Sequence, residues 1–141
     1  MGKLHSQYTY DNNLLLKAAG LIAASADVAT ILDLGAGFFE ADVVVDVSAI
    51  ELDSANEIYD IIVLGSNSPT FASGIVQLGR QTLGKATAPV DTNTGVGRFP
   101  IPFRNELNGT QYRYVRLRTV VAGTVVTGIN YSAFIGLNPG C

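Results

Sequence analysis

Apolar and polar positions alternate most regularly near the end of the chain. There Tyr112-Arg113-Tyr114-Val115-Arg116-Leu117-Arg118-Thr119-Val120-Val121 and Gly128-Ile129-Asn130-Tyr131-Ser132-Ala133-Phe134-Ile135 read as two β-strands around a glycine-centred turn. Side chains of a strand point to opposite faces in turn. Arg116 and Arg118 therefore share a face with Tyr112 and Tyr114, and Val115, Leu117 and Val121 take the other, packing with Ile129, Tyr131 and Ile135. One face is a core and the other a cationic, aromatic surface.

The same reading applied upstream gives strands over Val28 to Leu34, closed by Gly35-Ala36-Gly37, over Asp42 to Val47, and over Ile58 to Leu64, closed by Gly65-Ser66-Asn67-Ser68-Pro69. Ile75 to Leu78 is a short strand. Residues Gly79 to Gly97 read as a long loop. Phe99-Pro100-Ile101-Pro102-Phe103 alternates, but its prolines cannot donate to a ladder, which confines it to an edge or an extended connection. Asn108-Gly109 is the strongest hairpin dipeptide of the chain. Seven or eight short strands with little helix predict an all-β domain, a jelly roll or β-sandwich, spanning residues 28–141.

Before it, residues 1–27 read as an N-terminal arm, extended or forming a short helix. Met1 to Asn13 has no periodicity, and Leu14-Leu15-Leu16-Lys17-Ala18-Ala19 has the local propensity of a short helix capped by Asp11 or Asn12. The apolar run Leu14 to Ala26 ends in a small-x-small triplet like that of a secretion signal. Its flank carries Asp11, however, and about 13 residues fall short of the ~20 a spanning helix needs, so no membrane partner is expected.

Of 141 residues, 48% are apolar and only 15% charged, a sparse charge for a free monomer and one that suits a protein covered by copies of itself or by a larger assembly. The single Cys141 permits no intramolecular disulfide and agrees with assembly in a reducing cytoplasm. The net charge of −3 hides a segregation. No Lys or Arg lies between Ala18 and Gly79, where nine acids fall, while Arg dominates from Arg98 to Arg118. Such asymmetry serves either contacts between neighbouring subunits or pairing within the fold. An acidic domain without a dense basic cluster is a poor nucleic-acid binder.

Candidate chemistry is thin. His5 is the only histidine, which together with one cysteine excludes the usual zinc sets, and no cofactor is expected. Asp42 and Asp46 share a strand face, and Glu51, Asp53 and Glu57 crowd the next loop. A carboxylate pair or a calcium site can be drawn from them, but solvated surface acids are the commoner outcome. For Arg116 and Arg118 the alternatives are pairing with cross-strand acids and contact with a partner.

Ala24-Ser25-Ala26-Asp27-Val28, Ile31-Leu32-Asp33-Leu34-Gly35, the valine-rich Val43 to Val47, Leu64-Gly65-Ser66 and Tyr112-Arg113-Tyr114-Val115-Arg116-Leu117-Arg118 together resemble the small jelly-roll cement, or decoration, proteins of tailed bacteriophages. The likeness runs from about Ala24 to Ile135. It implies a non-enzymatic virion protein, assembled in the bacterial cytoplasm, that binds the outer surface of an icosahedral shell and braces the major capsid protein, commonly as a homodimer, with a trimer as the alternative. The contact residues expected on that reading are Leu14, Leu15, Leu16, Lys17, Tyr112, Tyr114, Arg116 and Arg118. A receptor- or glycan-binding jelly roll of a phage tail or cell surface is the competing expectation, and a carboxylate-based hydrolase a distant third.

Overall fold

The computed structural model describes residues 12–54, 56–84 and 96–136, and the expectations for His5, Cys141 and residues 85–95 lie outside them. A single 3-10 turn, Asn12–Leu14, is followed by strands only: β1 Leu15–Lys17, β2 Leu21–Ile22, β3 Ala26–Asp27, β4 Leu32–Asp33, β5 Glu40–Ile50, β6 Ile58–Ser66, β7 Val76–Gly84, β8 Gly97–Arg104, β9 Glu106–Leu107, β10 Thr110–Gln111, β11 Tyr114–Ala122 and β12 Ile129–Gly136. The all-β expectation holds.

The strands pair as one long hairpin folded about the turn between β6 and β7. Moving outward from that turn, β6 pairs with β7, β5 with β8, β4 and β3 with β11, and β2 and β1 with β12, all antiparallel. Successive pairs fall alternately in two sheets. One sheet has the order β1-β12-β5-β8, with β2 continuing the β1 edge; the other is β3-β11-β6-β7, with β4 along the β3 edge. Nested pairs distributed over two facing sheets are the jelly-roll arrangement.

Alternation places Val43, Val45 and Val47 of β5, Tyr59, Ile61 and Val63 of β6, Val115 and Leu117 of β11, and Ile129, Tyr131 and Ile135 of β12 in one buried cluster between the sheets. Within it the hydroxyls of Thr119 and Tyr131 meet at 2.6 Å, a polar bridge from one sheet to the other. Burial pushes the Tyr131 phenol up to about 12.

Several expectations need correction. The short helix expected over Leu14 to Ala19 is replaced beyond the 3-10 turn by a strand: the edge of β12 takes Leu15 opposite Phe134 and Lys17 opposite Ala133, and ladder bonds override a weak local preference. β1, β2 and β3, all before residue 28, are strands of the two sheets. Val28 to Leu34 divides into β3 and β4, which pair with different parts of β11. The strand expected over Ile75 to Leu78 runs instead from Val76 to Gly84, into the segment read as a loop. The strand expected from Tyr112 starts at Tyr114, and it forms no hairpin with β12: β11 pairs with β6 in one sheet and β12 with β5 in the other. The Tyr112 N–H donates instead to the carbonyl of Asn105 at 2.6 Å.

The sheet edges are blunted. Pro100 and Pro102 lie on the edge strand β8 with exposed rings, alternating with Phe99, Ile101 and Phe103, which turn inward. β7, the edge of the other sheet, closes on β8 at Gly79, where a Cβ would come within 2.9 Å of Ile101 Cγ2 and 3.1 Å of the Pro102 carbonyl. The remaining edges are broken into pieces of two or three residues.

Gly128 and Gly109 both sit at positive φ, +91° and +86°, but only at Gly128 would a Cβ drive into backbone, at the carbonyl of Ile22. Gly109→Ala is expected to cost about 1 kcal/mol, the left-handed penalty alone. Gly128→Ala should cost clearly more, since the turn must also move away from β2. Urea unfolding of the two variants checks the order.

Candidate functional site

The expected contact residues do not form one surface. Leu16 is fully buried in the core. Lys17 is buried too, with its Nζ donating to the carbonyls of Ala18 and Gly20 at 3.0 Å and of Tyr131 at 2.8 Å. Its ammonium lies 4.5 Å from the centre of the Tyr131 ring. All three of its protons are thereby used, and burial pulls its pKa down. Leu16 and Lys17 are thus pieces of the fold and present nothing to a partner. Leu14 packs against the core from its margin, and Leu15, half-buried, lies beside Phe134 on the outer side of the sheet.

On β11 the expected alternation is present, with Val115, Leu117 and Thr119 inside and Tyr114, Arg116 and Arg118 outside. The outward face is not an open cationic stripe. Arg116 donates through Nε and Nη2 to the carbonyl of Val28 at 3.0 and 2.8 Å, and its guanidinium covers the ring of Phe71 at 5.4 Å. Phe71, at the fold-back turn with φ +56°, folds its ring over Ile62 and Leu64 in a second cluster that Tyr114 and Val120 border. Arg118 stands opposite Asp27 in the ladder, 3.8 Å from its carboxylate. Tyr112 lies outside the strand, half-buried between two shallow hollows that also share Asn67.

The charge segregation of the sequence is resolved inside the chain. Stepping outward from the Phe71 turn, Asp60 pairs with Arg80, Asp46 with Arg98, Glu40 with Arg104, Asp33 with Arg113 and Asp27 with Arg118. Each acid comes from the first half of the fold and each arginine from the second, so the ion pairs follow the nesting of the strands. Asp46–Arg98 and Asp33–Arg113 are bidentate. Hydrogen bonds from Arg113 hold the Asp33 carboxyl below the usual carboxylate range. Most of these pairs are half-exposed, and each is worth no more than about 1 kcal/mol. Asp60 differs, since its side chain is only 11% exposed and receives both Arg80 and the hydroxyl of Thr82.

Of the loop acids, Glu51 and Glu57 are committed to backbone. Glu51 Oε1 accepts from the N–H groups of Val126, Thr127 and Gly128 at 2.9, 2.6 and 2.8 Å, chiefly through Gly128 lowering its pKa below 4.5. Glu57 is fully buried. Burial raises its pKa, but amides including those of Ser54 and Asn56 outweigh it and leave the carboxyl below the ordinary glutamate range. Glu51 thus fastens the turn after β5 to the turn before β12, and Glu57 closes its own turn. Among the described residues no group of three or more His, Cys, Asp or Glu could hold a metal ion.

Sequence reading missed Asn105. It is fully buried, and its side chain donates to the carbonyls of Gly37 and Tyr112 and accepts from the N–H of Phe39, joining two turns at one end of the sandwich. It also missed Phe38, half-exposed with the Arg104 guanidinium 5.1 Å from its ring centre.

No protein-family model matches the chain. No curated protein matches it either.

Two outcomes follow from this geometry. Arg80→Ala, which strips Asp60 of its charged partner, is expected to destabilise by about 1–3 kcal/mol, against under ~0.5 kcal/mol for Arg104→Ala, whose 3.8 Å pair is exposed on both sides. Thermal or urea unfolding measures both. For Glu51 the folded pKa is lowered, so its stabilisation is complete above about pH 4.5 and is lost as the pH falls through the folded value. Glu51→Gln should therefore be less stable than wild type at pH 7, and the gap should narrow toward pH 3.

Proposed function

We propose that this chain is a non-enzymatic structural protein of a tailed-phage virion that binds the outer surface of the icosahedral capsid and stabilises the shell of major capsid protein. The likeness of its segments to jelly-roll cement proteins supports this reading, and so does the way its polar groups are spent. The observation that carries it is the contrast between charge and apolar exposure. Among the described residues, acids and arginines are largely paired within the chain, while the large apolar side chains left in solvent sit on turns and strand ends at the two ends of the sandwich: Phe38, Ile75 and Leu107 at one, Leu21, Val96 and Val126 at the other.

Such a surface adheres through shape and apolar contact, with little long-range charge. Binding to the assembled shell in preference to free subunits would stabilise it by mass action over many copies. A homodimer is the expected unit. Of the anticipated contact residues, Leu15, Tyr112, Tyr114 and Arg118 remain available on this reading.

Purified protein added to capsid shells that lack it should bind to saturation and raise the temperature at which the shells disassemble. Absence of binding to shells, combined with binding to oligosaccharides, would favour the receptor- or glycan-binding alternative.

A further inference from the structure

The tip of the β9–β10 hairpin carries a reactive pair of residues. Thr110 stands opposite Leu107, so Asn108 and Gly109 alone make the connection, and both have positive φ, +53° and +86°, as a type I′ turn requires. Asn-Gly meets that demand at little steric cost. It is also the pair in which a backbone amide most readily attacks the side chain before it, because glycine sets no Cβ beside the attacking nitrogen. The turn is exposed, and the space around Gly109 is open.

Two observations single out this asparagine. The carboxamides of Asn56, Asn67, Asn105 and Asn130 are each fixed by hydrogen bonds, Asn67 for instance donating to the Gln111 carbonyl and accepting from the Arg113 N–H. The Asn108 carboxamide is held by no described group and is free to turn toward its own backbone. The nitrogen it would meet, that of Gly109, donates to Glu106 Oε2 at 2.6 Å. A carboxylate already resting on that proton stands where a general base must be.

We propose that Asn108 is a site of self-modification, at which the chain converts its own side-chain amide to an acid with Glu106 as general base. The Gly109 nitrogen attacks Asn108 Cγ and its proton passes to Glu106 Oε2. As the tetrahedral carbon collapses to a cyclic imide, the Cγ–Nδ2 bond breaks and the leaving nitrogen takes that proton, departing as ammonia. Water then opens the ring. Addition at Cγ gives aspartate, and addition at the main-chain carbonyl gives isoaspartate. Either product sets a new negative charge close to Glu106, and isoaspartate also lengthens the backbone of a turn whose strands share only the pairs Leu107–Thr110 and Glu106–Gln111. None of this depends on the function proposed above.

The test incubates folded full-length protein at mildly alkaline pH and maps its peptides by mass spectrometry over time. Conversion at residue 108 should run ahead of residues 56, 67, 105 and 130 and give aspartate together with isoaspartate. Gly109→Ala, which places a methyl group beside the attacking nitrogen, and Glu106→Gln, which cannot take the proton, should each slow it about tenfold or more, with folding confirmed by circular dichroism. Equal conversion at Asn67, or conversion of Asn108 only in urea-unfolded chain, would overturn the site. An undiminished rate in Glu106→Gln would overturn the part given to Glu106, whose carboxylate would then only close the turn.

Discussion

Everything in this molecule is subordinate to one constraint: the chain pairs with itself around a single fold-back at Phe71. Once that point is set, each strand of the first half has its partner in the second, and the two sheets follow from alternate pairs turning to opposite sides. Phe71 holds a left-handed backbone that a bulky residue adopts only under compulsion. The compulsion is local. Its N–H bonds the carbonyl of Ser68, and the hydroxyls of Ser66 and Ser68 tie the turn together through Ser73, Ser68 and Ala72. The ring then returns to the outer face of β6, so the turn is anchored by apolar burial as well as by hydrogen bonds.

The ion pairs are best understood as annotation of that geometry. A net attraction of at most about 1 kcal/mol for each exposed pair adds little to stability. Their value is discriminatory: a shifted alignment would lay acids of the first half beside one another's partners at wrong spacing, and like charges opposite one another in a ladder are unfavourable. Segregating acids before the fold-back and arginines after it makes the nested arrangement the one in which opposite charges meet.

Much of the fold was legible because it rests on period-two alternation. The inward residues of β11 and β12 could be named in advance, and the proline-bearing β8 could be confined to an edge or an extended connection. What escaped was tertiary in origin. Leu15–Lys17 has helix-forming residues, and only the presence of β12 alongside makes it a strand. Lys17 looked like a surface charge because nothing in its neighbourhood reveals that three carbonyls, one of them on β12, converge on its ammonium. Arg116 and Arg118 were correctly set on the outward face, yet their partners, Val28 and Asp27, are close to ninety residues away in sequence, and a hairpin reading of β11 and β12 alone could not supply them. Asn105 carries no pattern at all, since a buried asparagine in a turn is known only from the groups that surround it.

The nesting also dictates an order of events. Closing a short loop costs less chain entropy than closing a long one, and each inner pair shortens the effective loop for the next. The β6–β7 pair can therefore form first, whereas the contact of Lys17 with Tyr131 joins residues 114 apart and waits for all that lies between. A nascent chain emerging N-terminus first would hold β1 to β6 without their partners until the second half was made. The sandwich is completed last where β1 and β2 meet β12, the outermost pairing among the described residues.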